Sequence, residues 1–150
     1  MAQTTTAVDS TTAIVGISSD GVTYTQVEGS LVSLVPGAQA RAVGKANTVD
    51  GDKPIVRKGK LDVMQITING IYTPTTNEVF DLLVDIWDTN GDVYVQWSYD
   101  DTGGVQRFTS SGKGFISSLT YPKVDAGDPN PVPFTAVLTI PGITLGTVPT

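Results

Sequence analysis

The stretch "KLDVMQITINGIYT" constrains this chain more than any other. Met64, Ile66, Ile68 and Tyr72 alternate with Gln65, Thr67 and Asn69. Successive side chains of a strand point to opposite faces, so a period of two makes one face core and the other polar. The segment is long for a strand, and a bend is expected near Gly70. A sheet that is apolar on one side needs a second layer to cover it.

The rest of the chain repeats the pattern. Strands are expected near 13–18, 22–27 and 30–35, with turn signals at Ser19-Asp20-Gly21 and Glu28-Gly29-Ser30. In "DVYVQWSYDDTGG", Val93, Val95, Trp97 and Tyr99 share one face, and Asp101 to Gly104 supply a hairpin turn. Further strands are expected near 105–110 and 114–121. The last, "VPFTAVLTI", points Phe134, Ala136, Leu138 and Ile140 inward. One segment departs from this. "TTNEVFDLLVDIWDTNG" places Val79, Phe80, Leu82, Leu83, Ile86 and Trp87 at helical spacing. Thr75 to Glu78 matches a capping box and Asn90-Gly91 a stop, so one helix is expected over about 76–88, lying on a sheet with Trp87 in its core. The fold class is mainly β, a sandwich or barrel with one flanking helix. The 150 residues suit a single domain, and without cysteine that domain holds together by its core alone.

Between these elements lies "VPGAQARAVGKANTVDGDKPIVRKGK", with almost no apolar periodicity. It reads as a long loop over about 36–59. Six of the nine basic residues sit there: Arg41, Lys45, Lys53, Arg57, Lys58 and Lys60. Against Asp50 and Asp52 they leave a net +4 from Pro36 to Lys60. The remainder has three basic and thirteen acidic residues, a net −10. The loop is either a solvated insertion or an arm with a partner outside the subunit. Two further arms are expected, an N-terminal one over about 1–12 and a C-terminal one over about 141–150. The latter, "PGITLGTVPT", follows a strand end at Pro141-Gly142 yet carries Ile143, Leu145 and Val148 and no charge. Such a tail docks, on its own body or on a neighbour.

Little here points to catalysis. No histidine is present, which removes the commonest general base and metal ligand. The thirteen aspartates lie mostly at turns, where Asp is favoured for local hydrogen bonding. The acidic loops 88–92 and 125–130 lack calcium-loop spacing, and no phosphate-binding glycine motif is present. No enzyme activity, cofactor or metal is expected. No segment reaches the ~18 apolar residues of a membrane helix, and "MAQTTTAVDSTT" has no signal-peptide core, so a cytosolic origin and no membrane partner are expected. Nucleic-acid binding by the basic loop is disfavoured: its cations are dispersed, no aromatic residue lies among them, and the body is acidic.

Together, "GKLDVMQITINGIYTPTTNEVFDLLVDIW", the strand "GDVYVQWSYDDTGG" and the run "GKGFISSLTYPKVDAGDPNPVPFTAVLTIPGIT" resemble the tail tube proteins (major tail proteins) of long-tailed, siphovirus-type bacteriophages, over roughly residues 13–145. That resemblance implies a virion protein assembled in the host cytoplasm. It implies homo-hexameric rings whose inner strands join into one barrel, stacking head to tail with other tail proteins at the ends. Double-stranded DNA would pass through the lumen without specific binding. The tube of type VI secretion systems has a similar fold. The loop cations Arg41, Lys45, Lys53, Arg57, Lys58 and Lys60, with Ile143 and Leu145, would make inter-ring contacts. Gln65, Thr67 and Asn69 would face the lumen or a neighbour. An acidic protein also suits a DNA conduit, since a phosphate backbone finds no basic grip. The alternative is a binding module, such as a carbohydrate-binding β-sandwich or another component of the tail tip.

Overall fold

Alternation decides the architecture. The computed structural model describes residues 2–4 and 6–150; Met1 and Thr5, within the expected N-terminal arm, lie outside the described residues. In chain order the elements are β1 (Ile14–Ser18), β2 (Thr25–Gln26), β3 (Leu31–Pro36), β4 (Arg41–Ala46), β5 (Ile55–Leu61) and β6 (Met64–Ile71). There follow α1 (Val79–Asp88), β7 (Tyr94–Ser98), β8 (Gln106–Ser110), β9 (Phe115–Thr120), β10 (Pro133–Ile140) and β11 (Ile143–Thr147). All pairings are antiparallel. One sheet runs β11-β8-β7-β1-β2, a second β3-β6-β10-β9, and β4-β5 stand apart as a hairpin.

The two large sheets and α1 enclose one core. β6 and β10 pair in unbroken register from Met64↔Ile140 to Ile71↔Pro133. Their inward faces, Met64, Ile66 and Ile68 against Phe134, Ala136, Leu138 and Ile140, are buried as the alternation predicts. Val15 and Ile17 from β1, and Val95 and Trp97 from β7, close the core from the other sheet. Trp97 stacks on Phe108 with centroids 5.4 Å apart. Turn chemistry sets the first reversal: Asp20 accepts hydrogen bonds from the Thr23 and Val22 N–H groups and the Ser18 hydroxyl, which hold its pKa at about 2.

Several expectations need correction. The long strand does not bend at Gly70. It breaks at Asp62-Val63, and β6 runs through Gly70 to Ile71. The helix begins at Val79, because Asn77 adopts a left-handed backbone (φ 65°) that no helix can include. Thr75 makes no cap. Instead the Ser30 hydroxyl, from the loop before β3, accepts the Val79 N–H at 3.2 Å, and the Glu78 carboxylate accepts from the Thr73 hydroxyl. The stop is as expected: Asn90 is left-handed and the Gly91 N–H reaches the Ile86 carbonyl. Trp87 is not core. Val79, Leu83 and Ile86 fill the helix's buried stripe, and Trp87 falls at its margin, 39% exposed.

The C-terminal segment is no free arm. Pro141-Gly142 ends β10, but β11 then adds to β8 in register, with Leu145 opposite Phe108, and Val148 is buried. Of the apolar residues that made this tail unusual, Ile143 packs on the core, Leu145 lies exposed in β11 and Val148 is buried just beyond it.

Candidate assembly surfaces

Three surfaces account for the residues that the sequence singles out. The first is the basic stretch. It leaves the body as expected, but as a β-hairpin rather than a structureless loop. In β4 and β5 every residue except the half-buried Gly59 is exposed. Val43 faces Lys58 and Lys45 faces Val56 on one side, while Gly44 faces Arg57 and Ala46 faces Ile55 on the other. Neither face is buried, so neither needed an apolar period, which is why the strands are hard to see in the sequence. Arg41 and Lys60 lie toward the base and Lys53 in the turn. An extra residue in β5 shifts the register between Arg41 and Val43. Gly59 sits in that bulge, where an added Cβ would lie 2.7 Å from the Cβ of Ala42.

The hairpin is tied down only at its root. The Gln39 side-chain amide donates to the Asp62 carbonyl at 2.9 Å and to the Pro141 carbonyl at 2.8 Å. The Gly37 N–H reaches the Gln65 carbonyl at 2.7 Å. Among the described residues the ion pairs are Lys113–Asp92 and Lys123–Asp128, each 3.8 Å, so no cation of the hairpin has an acidic partner within its own subunit. An isolated two-stranded hairpin is marginal in water. This one also exposes Val43, Ile55, Val56 and Leu61.

The second surface is the outer face of β3-β6-β10-β9. Gln65 is exposed there, and Thr67 and Asn69 are half-buried. The Asn69 amide bridges three strands, donating to the Ser33 hydroxyl at 3.0 Å and accepting from the Thr135 hydroxyl at 2.9 Å. None of these four strands contains a charged residue. The acidic residues of the body therefore lie elsewhere than on this face.

The third surface was not found from sequence: the two edges of that same sheet. β3 (LVSLVP) and β9 (FISSLT) each pair on one side only. Soluble proteins usually blunt such edges with charge, and neither strand has any. β3 exposes Val32 and Val35; β9 exposes Phe115, next to Trp87 across a shallow cleft of about 200 Å³ that Ile86 and Gly91 also line. The readable signal was the lack of Lys, Glu and Asp in both segments. Of the C-terminal candidates, Ile143 packs on its own core and Leu145 stays exposed.

A cleft of about 480 Å³ between the sheets has Val15, Leu31, Leu34 and Trp97 in its wall. Its one ionisable acid, Glu28, accepts the Val15 N–H at 3.3 Å. No group of three or more acidic residues among those described is arranged to hold a metal ion. Among the described residues no helix is long and apolar enough to cross a membrane.

The sequence matches no family model and no curated protein. Solved structures do match. A chain of the PVC sheath–tube complex of an extracellular contractile injection system superposes with a TM-score of 0.74 at 16% identity, over 96% of this chain and 94% of that one. The SPP1 tail tube gives 0.71 at 7% identity, over 96% and 81%. This chain has the tail tube fold. The tail of an empty GTA particle, refined with C6 symmetry, matches with a TM-score of 0.64 at 11% identity, over 97% and 98%. Because 96–97% of this chain is covered, each match spans both large sheets and α1 together rather than a shared fragment.

Proposed function

We propose that this chain is a structural virion protein whose copies join edge to edge into rings, and that the rings stack into a tail tube that conducts DNA. The observation that carries the reading is the pair of open, uncharged edges on one sheet. With four alternating antiparallel strands, β3 and β9 run in opposite directions. Rotating a copy about an axis along the strands brings its β9 beside β3 of the next in antiparallel sense, which continues the sheet. Contacts between two different patches close into rings or extend as filaments. The C6 symmetry of the GTA tail supports six copies per ring here. Stacking is the task of the hairpin: an unpaired +4 protrusion on a −10 body is complementary to the body of another copy, head to tail. On this reading Arg41, Lys45, Lys53, Arg57, Lys58 and Lys60 dock on acidic surface of the adjoining ring, with Leu145 a further contact, and the protein has no enzyme activity.

Negative-stain microscopy of the purified protein tests this. Rings or tubes are expected from the wild type. Ser118→Lys with Thr120→Lys, which charges the β9 edge, should leave a protein of unchanged circular dichroism that forms no rings. Dispersed wild-type subunits at every concentration, or normal rings from the variant, would refute it, and dispersed subunits with glycan affinity would instead support a binding module.

A further inference from the structure

We infer that the bore of the assembled tube is walled by a surface of hydroxyls, amides and a few apolar side chains with no fixed charge, so that a polyanion slides past it neither held nor repelled. This rests on the edge-to-edge ring proposed above. One face of β3-β6-β10-β9 is covered by α1 and the other sheet. Six such bodies cannot fit inside a closed barrel, so the bodies lie outside and the opposite face lines the bore. That face presents the hydroxyls and amides of Gln65, Thr67, Asn69 and Thr135, with Val35 and Val137 beside Thr67 and Phe115 at one end, and no charged side chain.

The nearest charges lie beyond the strand ends. At one end Asp62 precedes β6, Arg41 and Lys60 stand at the root of the hairpin, and Lys113, paired with Asp92 at 3.8 Å, precedes β9. Lys123, Asp125 and Asp128 follow β9 at the other, with Lys123 and Asp128 paired at 3.8 Å. The eight residues of β6 span about 26 Å at ~3.3 Å each. The middle of the wall is thus about 13 Å from either rim, beyond a Debye length of about 8 Å at physiological salt. Fixed rim charge is screened before it reaches Thr67. A basic wall would grip phosphates through counterion release, whereas an acidic one would fill the bore with cations. This wall does neither. The Ser33–Asn69–Thr135 bonds also turn its amide sideways, into the sheet rather than toward cargo.

The absence of cysteine makes the test clean. Thr67→Cys puts a single thiol at mid-wall. Assembled tubes and dispersed subunits are each treated with cationic and anionic methanethiosulfonates of matched size. The cation-to-anion rate ratio in tubes, divided by that in dispersed subunits, should lie within about threefold of one, whereas a charged wall would move it about tenfold or more. A tenfold preference for either reagent overturns the neutral bore while leaving the ring intact. A bulky polyethylene glycol maleimide tests the ring separately: it should label dispersed subunits and fail on tubes. Equal labelling of tubes would put this face outside and end both readings. If Thr67→Cys does not assemble, Thr135→Cys on the adjoining strand makes the same comparison.

Discussion

At the scale of single residues, Gly70 shows how closely this core is packed. A Cβ there would lie 2.7 Å from the Phe134 ring and 3.0 Å from the Val79 side chain, which join the sheet to the start of α1. Neither neighbour can retreat, since both are fully buried. Gly70→Ala should cost about 1–3 kcal/mol through overpacking. It should lower the melting temperature by several degrees in a thermal scan. Gly146→Ala, whose Cβ would meet nothing within 4 Å, should leave it nearly unchanged. If the two variants melted alike, the packing account of Gly70 would fail. The sequence marked Gly70 only as a possible bend, because which side chains press on a glycine depends on a strand more than sixty positions away. Trp87 was misplaced for a related reason. A period of 3.6 identifies a helical stripe but not its edges, and the three smaller residues Val79, Leu83 and Ile86 fill the space that α1 has available.

At the scale of elements, legibility followed burial. β6, β7 and β10 have one face more deeply buried, and their alternation declared it. β4 and β5 bury neither face, so their sequence records charge instead of period. The C-terminal residues were recognised as apolar, but β11's place beside β8 needed the sheet order. This division separates two kinds of contact. Ring closure rests on uncharged edges, and stacking rests on the hairpin. Arg57→Glu with Lys58→Glu takes the hairpin stretch from +4 to zero, at positions where no intrasubunit partner is lost. Rings should still form, but single rings or short stacks should replace long tubes in micrographs. Wild-type tubes should also shorten as salt rises, because exposed charge pairs are screened. Long tubes from the double variant would show that the hairpin's charge has no part in stacking.

At the scale of the whole molecule, the two tryptophans report on different surfaces. Trp97 is 8% exposed within the core, and ring formation should hardly alter it. Trp87 is 39% exposed beside Phe115, which is 56% exposed at the start of the open β9 edge. If β3 of a neighbour pairs with β9, its exposed Val32 and Val35 approach this aromatic pair. Covering it removes apolar surface from water at roughly 25 cal/mol per Å². Such a gain explains why an edge so prone to pairing is left without charge: the exposure is a cost to the free subunit and a contact in the ring. Assembly should therefore shift tryptophan emission to shorter wavelength and reduce its quenching by acrylamide. Phe115→Ala should weaken ring formation without lowering the subunit's melting temperature, since the ring of Phe115 is largely in solvent. Emission unchanged between dispersed and assembled protein would place the junction elsewhere and leave the Trp87–Phe115 cleft without a partner.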